Sequence, residues 1–457
     1  MEKEKFKKRY LLLIFPILAG ILLFIAVLTS SGDFLTKILH MNELRAYFLL
    51  GCLILLPVIL IIFSFYLQHR SKREKQEFLR APLPQEQGEL KKEEGKGEDS
   101  RFFMLSKTDQ EMERKPRKNQ TEELTLKELC HKFRHYAAGQ LKLYYSEGDI
   151  REFISGLAVS HILVMQGMSG TGKTSLAYAF GEFLQNKSTI VPIQPMWKER
   201  TDLIGYYNEF TKKFNETVLL QKMYEANYSE DIYITVLDEM NIARVEYYFA
   251  EFLSLLEIPN PEGRYLDVVT DKKNKDPKLL KDGRLKLPTN MWFIGTANND
   301  DSTFAISDKV YDRAMIMNLD KKSEWFDAEE SKPINLTANY FDKLVKRAIG
   351  EYKLTSRNRK RIKKLDEYMV ETFHLTFGNR IMKQINQYVP VMLACGGEEV
   401  EAIDDILSKK VLRKLESQNP IYVRNAADGL KTYLDELFGQ DKMPKCKAYL
   451  THLERNA

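Results

Sequence analysis

Cysteine is scarce. Cys52, Cys130, Cys395 and Cys446 are the only four in 457 residues, and no two form a C-x-x-C pair. Neither a disulfide framework nor a zinc site is expected, and a reducing compartment fits. Histidine is thin too, at seven residues, and neither a nucleophile-base motif nor a nuclease-like acid cluster occurs. Charge of one sign is also missing. Lys and Arg number 69 against 64 Asp and Glu, a formal +5, too weak an excess to argue for nucleic acid by itself. Hydrophobic residues make up 44% of the chain, so most of it is expected to fold, in two or three domains at this length.

Two long apolar runs open the chain. Tyr10 to Thr29 (YLLLIFPILAGILLFIAVLT) and Ala46 to Leu67 (AYFLLGCLILLPVILIIFSFYL) carry no charge and are long enough to cross a hydrocarbon core as helices. A cleaved signal peptide competes for the first, but its apolar core is longer than usual and Leu28-Thr29-Ser30 is a poor cleavage site. Lys3, Lys5, Lys7, Lys8 and Arg9 precede the first run, Arg70, Lys72, Arg73 and Lys75 follow the second, and only Lys37 and Arg45 lie between. The positive-inside bias therefore predicts a two-pass hairpin over 1–69 in the inner (plasma) membrane, with helices 10–29 and 46–67 and both ends cytoplasmic. Residues 70–120, including PLPQEQGELKKEEGKGEDS, read as a charged linker. Its small island Phe102-Phe103-Met104-Leu105 is expected to be a local hydrophobic cluster, a docking segment being the alternative.

From Thr121 the pattern changes. Leu124, Leu126, Leu129, Phe133, Tyr136 and Leu141 recur at helical spacing, and then comes HILVMQGMSGTGKTSLAYAF, His161 to Phe180. An apolar run, a glycine-bearing loop and a helix-compatible segment follow one another, and the loop fits G-x-x-x-x-G-K-[ST]. Gly167, Gly170 and Gly172 let the backbone of Met168, Ser169 and Thr171 turn its N–H groups inward, and the helix N-terminus adds partial positive charge. Lys173 is expected to bridge β- and γ-phosphates, and Thr174 to help hold Mg²⁺.

Further on, Ile232 to Leu237 ends in Asp238-Glu239, as a buried parallel strand does at its carboxyl end. Asp238 is expected at Mg²⁺ and Glu239 to polarise the attacking water. A lysine-rich insertion, Lys272 to Lys286, precedes another strand, Met291 to Gly295, which runs on into Thr296-Ala297-Asn298-Asn299. That insertion is either a pore-facing hairpin or a solvated loop. Trp197, Tyr206 and Tyr207 are read as packing aromatics, with pore lining as the alternative. Beyond about Leu336 the pattern is wholly helical and holds Phe377-Gly378-Asn379-Arg380.

With the phosphate loop, Asp238-Glu239, Asn298, Arg313 and Arg380 in this order, the chain resembles an AAA+ ATPase from about Thr121 to its end. LDEMNIARVEYYFAEFLSLLE and WFIGTANNDDSTFAISDKVYDRA make it most similar to the McrB-type motors of modification-dependent restriction systems and to the dynein-like and MoxR groups. The resemblance implies an α/β fold: a parallel-sheet P-loop domain over 121–332, then an all-helical lid over 333–457, preceded here by two transmembrane helices. It implies that Asn298, with Asn299 competing, orients water near the γ-phosphate. It implies that Arg313 is a finger offered to a neighbouring subunit of a ring, usually of six, and that Arg380 is a second sensor on the lid. A plain salt bridge is the alternative for each arginine. GTP-using McrB-type motors carry Asn-Thr-x-Asp where this chain has Gly295-Thr296-Ala297-Asn298, so ATP is expected, with GTP as the alternative. No recognisable methylated-DNA reader lies ahead of the motor in this sequence, where the expected membrane anchor stands instead.

The function expected is a membrane-anchored ATPase that remodels or translocates a protein or nucleic-acid client, as in the motor of a multi-component defence system with a separate effector subunit. The alternatives are a nucleotide-switched membrane scaffold with little turnover and a MoxR-like maturation chaperone.

Overall fold

The structure, a computed structural model, describes residues 100–114, 123–298 and 303–456. Both expected membrane helices, 10–29 and 46–67, lie outside the described residues, as do residues 70–99 of the expected linker and Asn299. No helix among the described residues is long and apolar enough to cross a membrane.

Helix α1 (Met104–Arg114) falls within the stretch expected to be a linker, yet it is firmly docked. Phe102 and Leu105 are fully buried, and Phe102 stacks on Phe214 with ring centroids 5.0 Å apart. The Glu216 carboxylate accepts the N–H groups of Phe103, Met104 and Leu105, which satisfies orphan donors at the helix start and suits its positive end. Arg101, buried, donates to Asp276 at 2.8 Å and Asp271 at 2.6 Å. The Phe102-Phe103-Met104-Leu105 island is therefore a docking segment, contrary to the expectation. Its partners lie more than 100 residues away in sequence, where no local pattern points to them.

Two capped helices lead into the nucleotide-binding sheet. In α2 (Leu126–Leu141) Thr125 and Glu128 form a capping box, and in α3 (Glu147–Val159) Ser146 and Asp149 form another, fixing where each helix begins. The chain then alternates strand and helix through β1 (Ile162–Gly167), α4 (Lys173–Phe183) and β2 (Thr189–Pro192). After the short α5 (Thr201–Ile204), β3 (Gly205–Asn208) and β4 (Lys213–Glu216) make an antiparallel hairpin, followed by α6 (Val218–Ala226) and β5 (Tyr233–Asp238). Beyond β5 lie α7 (Val245–Tyr248) and α8 (Ala250–Glu257), and then a small sheet of β6 (Tyr265–Asp267), β7 (Leu280–Lys281) and β8 (Arg284–Lys286). The unit closes with β9 (Met291–Asn298), α9 (Asp308–Tyr311) and β10 (Met315–Asn318).

The main sheet has the order β10-β1-β9-β5-β2, with every pairing parallel. Strands β1, β5 and β9 are buried almost throughout because helices cover both faces, and their sequences are accordingly near-continuous apolar runs. Leu163, Met165, Ile234, Val236 and Ile294 face α2, α3 and α4, where Phe133 meets Phe180 at 5.0 Å. Ile162, Val164, Leu237 and Phe293 face the other layer, with Phe249 and Phe252 stacked at 5.0 Å.

The region after β10 is helical as expected: α10 (Ala338–Glu351), α11 (Ser356–Phe373), α12 (Gly378–Ala394), α13 (Glu399–Lys410), α14 (Pro420–Phe438) and α15 (Pro444–Asn456). Its core is continuous with the α2–α3–α4 face. A buried ionic knot pins it there. Lys409 of α13 donates to Asp405 at 2.8 Å and pairs with Glu152 of α3, and Lys445 of α15 reaches the same two acids. Burial alone would raise the Asp405 carboxyl, but Lys409 and Lys445 outweigh it and hold the group well below the usual carboxylate range. Losing either lysine would leave two buried carboxylates sharing one cation, a buried charge imbalance that costs more than an intact pair gains.

Candidate active site

The phosphate loop sits at the carboxyl end of β1. Gly167, Gly170 and Gly172 all have positive φ, at 141°, 82° and 95°, a conformation that side chains resist. At Gly167 an added Cβ would also collide with the Leu319 carbonyl. Gly172 caps α4 with no side-chain hydrogen bond, so the first-turn N–H groups face the concavity, as an anion requires. Tyr145, which sequence reasoning passed over, braces the loop by donating from its hydroxyl to the Gly172 carbonyl at 3.0 Å, and Thr171 donates to the Met168 carbonyl at 3.0 Å. Met168 and Ser169 are exposed at the loop's crest. Lys173 is buried and donates to the carbonyls of Gly167 and Met168 at 2.9 and 2.7 Å.

Asp238, Glu239 and Asn298 converge on this loop from neighbouring strands. In the sheet register Gly167 pairs with Asn298, and Leu237 pairs with Gly295. The Thr174 hydroxyl donates to Asp238 Oδ1 at 2.7 Å. Thr296, also unsuspected, donates to that same oxygen at 2.9 Å and accepts the Glu239 N–H at 2.9 Å. A hydroxyl and a carboxylate in contact at the loop's edge are the hard oxygen donors that Mg²⁺ takes. Glu239 has φ of 53°, a strained conformation for a non-glycine residue, and its side chain is exposed. Asn241 holds the tip of β9 by donating to the Asn298 carbonyl at 2.9 Å.

The arginines lie at the other end of the sheet. Ser160 donates to the Arg313 carbonyl at 2.9 Å, and Arg313 and Arg380 line a cavity of about 480 Å³ with His161, Ile162, Arg264 and Lys383. No residue of the phosphate loop lines it. Strand β1, about 17 Å long at ~3.3 Å per residue, separates the two places. Arg313 Nη2 donates to Glu257 at 2.7 Å, and Arg380 takes the other oxygen of the same carboxylate. Arg380 thus stands beside Arg313 and away from its own subunit's phosphate loop. Gln384 of α12 and Lys410 of α13 reach the carbonyls flanking Arg313, Lys410 donating to Tyr311 and Ala314 at 2.5 Å each.

The lysine-rich insertion is part structured and part neutralised. Lys278 pairs with Glu113 of α1, Lys286 with Glu262, and Lys272 with Asp282. Trp197 packs edge-on against Tyr248 at 5.9 Å, and Tyr207 lies under Arg101 at 5.7 Å. The hairpin of β3 and β4 carries Phe210, which is 99% exposed.

His131, His135 and Glu329 bring ligand-type atoms within 4.8 Å of one another. His135 Nδ1, however, accepts the Glu329 N–H at 2.8 Å, which leaves the proton of the neutral ring on Nε2 and no lone pair for a cation. With Ser331 donating to the Lys132 carbonyl at 2.8 Å, this group is a clasp that ties the 319–337 stretch to α2.

A parallel sheet of order β10-β1-β9-β5-β2, a glycine-rich cradle, a Thr–Asp pair and an acid at the strand tip define a P-loop nucleoside triphosphatase of the AAA+ class. Residues 162–314 match the AAA domain family of the dynein-related subfamily, so this segment is an AAA+ ATPase domain of that kind. Residues 322–457 match a domain of unknown function (DUF8727). Among solved structures, a protein from Cytophaga hutchinsonii described as a candidate ATPase is similar at 14% identity, over 72% of this chain and 95% of that chain, with a TM-score of 0.44. No curated protein matches the chain.

Proposed function

We propose that the chain is a membrane-anchored, ATP-driven motor that works as a head-to-tail ring of its own copies, six being the usual number, and remodels or translocates a protein or nucleic-acid client. The observation that supports this reading is the placement of Lys173 and Arg313 at opposite ends of β1. An arginine one strand-length from its own cradle serves only a nucleotide bound by another copy, and repeated head-to-tail contacts of that kind close into a ring. Within one cradle Lys173 and the α4 N-terminus bind the triphosphate, and Glu239 orients water toward it. Mg²⁺, held by Thr174 and Asp238, would neutralise phosphate charge. Across the boundary, Arg313 and Arg380 stabilise the charge that develops on the phosphate. The exposed Phe210 on the β3–β4 hairpin offers an apolar contact to the client. The apolar runs at 10–29 and 46–67 hold the motor at the cytoplasmic face of the inner membrane, and a separate effector subunit carries out any further chemistry.

Steady-state turnover of the full chain in detergent tests this reading. Glu239→Gln is expected to keep nucleotide affinity and to lose roughly 10²- to 10⁴-fold in rate. Negligible turnover by assembled wild-type protein would favour a nucleotide-switched scaffold instead.

A further inference from the structure

Glu257 is the last residue of α8. A carboxylate there is poorly placed, because the carbonyl end of a helix already carries partial negative charge. Its compensation comes from outside the helix: Oε2 accepts from Arg313 at 2.7 Å and Oε1 accepts from Arg380. The cavity around them holds four cationic side chains, Arg264, Arg313, Arg380 and Lys383, against two carboxylates, Glu257 and Asp312. Arg313 Nε is buried there without a hydrogen-bond partner among the described residues. The cavity thus carries more positive charge than its two carboxylates balance, and a terminal phosphate presents the same acceptor geometry to an arginine fork with greater charge.

We propose that Glu257 is a built-in stand-in for phosphate. In the free subunit its carboxylate occupies the arginine cavity in place of the terminal phosphate of a nucleotide held by the neighbouring copy, and ring closure requires that phosphate to displace it. Glu257 therefore sets the protein concentration at which hydrolysis turns on, because only subunits with the carboxylate released are competent to close the boundary. The inference rests on the reading that the cavity arginines act between subunits.

The test is ATPase rate per subunit against protein concentration, at saturating ATP and Mg²⁺, for the full chain in detergent. Glu257→Gln keeps the size of the side chain and removes its charge. Its half-maximal concentration is expected to fall about 3- to 10-fold, the scale of partly exposed arginine–carboxylate pairs, with nucleotide affinity at low protein concentration unchanged as a check on folding. A half-maximal concentration that stays put or rises overturns the proposal. So does a lower plateau rate at an unchanged threshold, since Glu257 would then be orienting the arginines. Arg313→Ala alone separates the two levels of argument. If it hydrolyses like wild type, the between-subunit reading falls and the stand-in falls with it. If it is inactive while Glu257→Gln leaves the threshold alone, only the stand-in falls.

Discussion

Thr174 and Asp238, 64 residues apart, meet at 2.7 Å through hydroxyl and carboxylate. That contact joins the first turn of α4 to the tip of β5 and brings the expected Mg²⁺ donors together. Thr296 on β9 takes the same Asp238 oxygen at 2.9 Å, so the carboxylate is oriented from two sides. Thr174→Ala removes a donor while Thr296 still holds Asp238. The expected result is a loss of about 10- to 100-fold in Mg²⁺ affinity with the fold intact. Nucleotide binding measured with Mg²⁺ and with a chelator checks it: the chelator weakens binding to wild type and has little effect on the variant. Equal chelator sensitivity in both would remove Thr174 from the metal site.

The opposite-end placement of Lys173 and Arg313 gives a complementation test. Lys173→Ala loses the cradle's buried ammonium yet still offers its arginines, whereas Arg313→Ala binds nucleotide but offers no finger. Each variant alone is expected to fall about 10³-fold or more in hydrolysis. Mixed before assembly, they form boundaries in which an intact cradle faces an intact finger, and a substantial fraction of turnover returns. A mixture no more active than its parts would place both residues at one and the same nucleotide.

The placement of Lys173, Thr174, Asp238, Glu239 and Asn298 around one loop was legible in the sequence, because each sits in a pattern whose spacing is set by that loop or by one strand tip. Thr296 was within reach as well, since a hydroxyl two positions before Asn298 shares its face of β9. What stayed hidden depends on contacts far apart in sequence. Glu257 meets Arg313 across 56 residues and Arg380 across 123, and nothing near Glu257 distinguishes it from any other acid ending a helix. The same holds for Arg101, whose carboxylate partner Asp276 lies 175 residues on. The linker reading of its neighbourhood failed because composition counts charges without knowing which are paired.

Arg101 accordingly anchors α1. Its guanidinium and the Asp276 carboxylate are both nearly inaccessible, at 4% and 5% side-chain exposure. Arg101→Ala leaves a buried carboxylate unpaired, at a cost of roughly 3–5 kcal/mol, and that cost is most easily relieved by letting residues 100–114 detach. Hydrogen exchange is expected to accelerate about 100-fold or more in α1 while β1 and β9 keep their protection. Unchanged protection in α1 would mean that Phe102 and Leu105 hold the segment without the ion pairs.

Lys410 is where pH should register. Burial pushes its ammonium from the usual 10.5 down to about 7. Asp312 pulls it back up, and Arg380, Lys414 and Arg413 push it further down. Even as a neutral amine it keeps two N–H groups, enough for the Tyr311 and Ala314 carbonyls at 2.5 Å. Between about pH 7 and 10.5 the unfolded chain holds a proton at this site that the folded chain has released. Stability therefore rises with pH across that window, and the full cost of the buried charge is felt below it. Lys410→Met abolishes this contribution and strands two carbonyls beside Arg313, each worth about 1–3 kcal/mol when left unsatisfied. Denaturant unfolding at pH 7 and pH 9 is expected to show wild type gaining more stability over the interval than Lys410→Met, with the variant less stable at pH 9. Equal gains in the two proteins would mean that Lys410 stays charged in the folded chain and that the carbonyls of Tyr311 and Ala314, with Asp312, solvate it well enough to offset its burial.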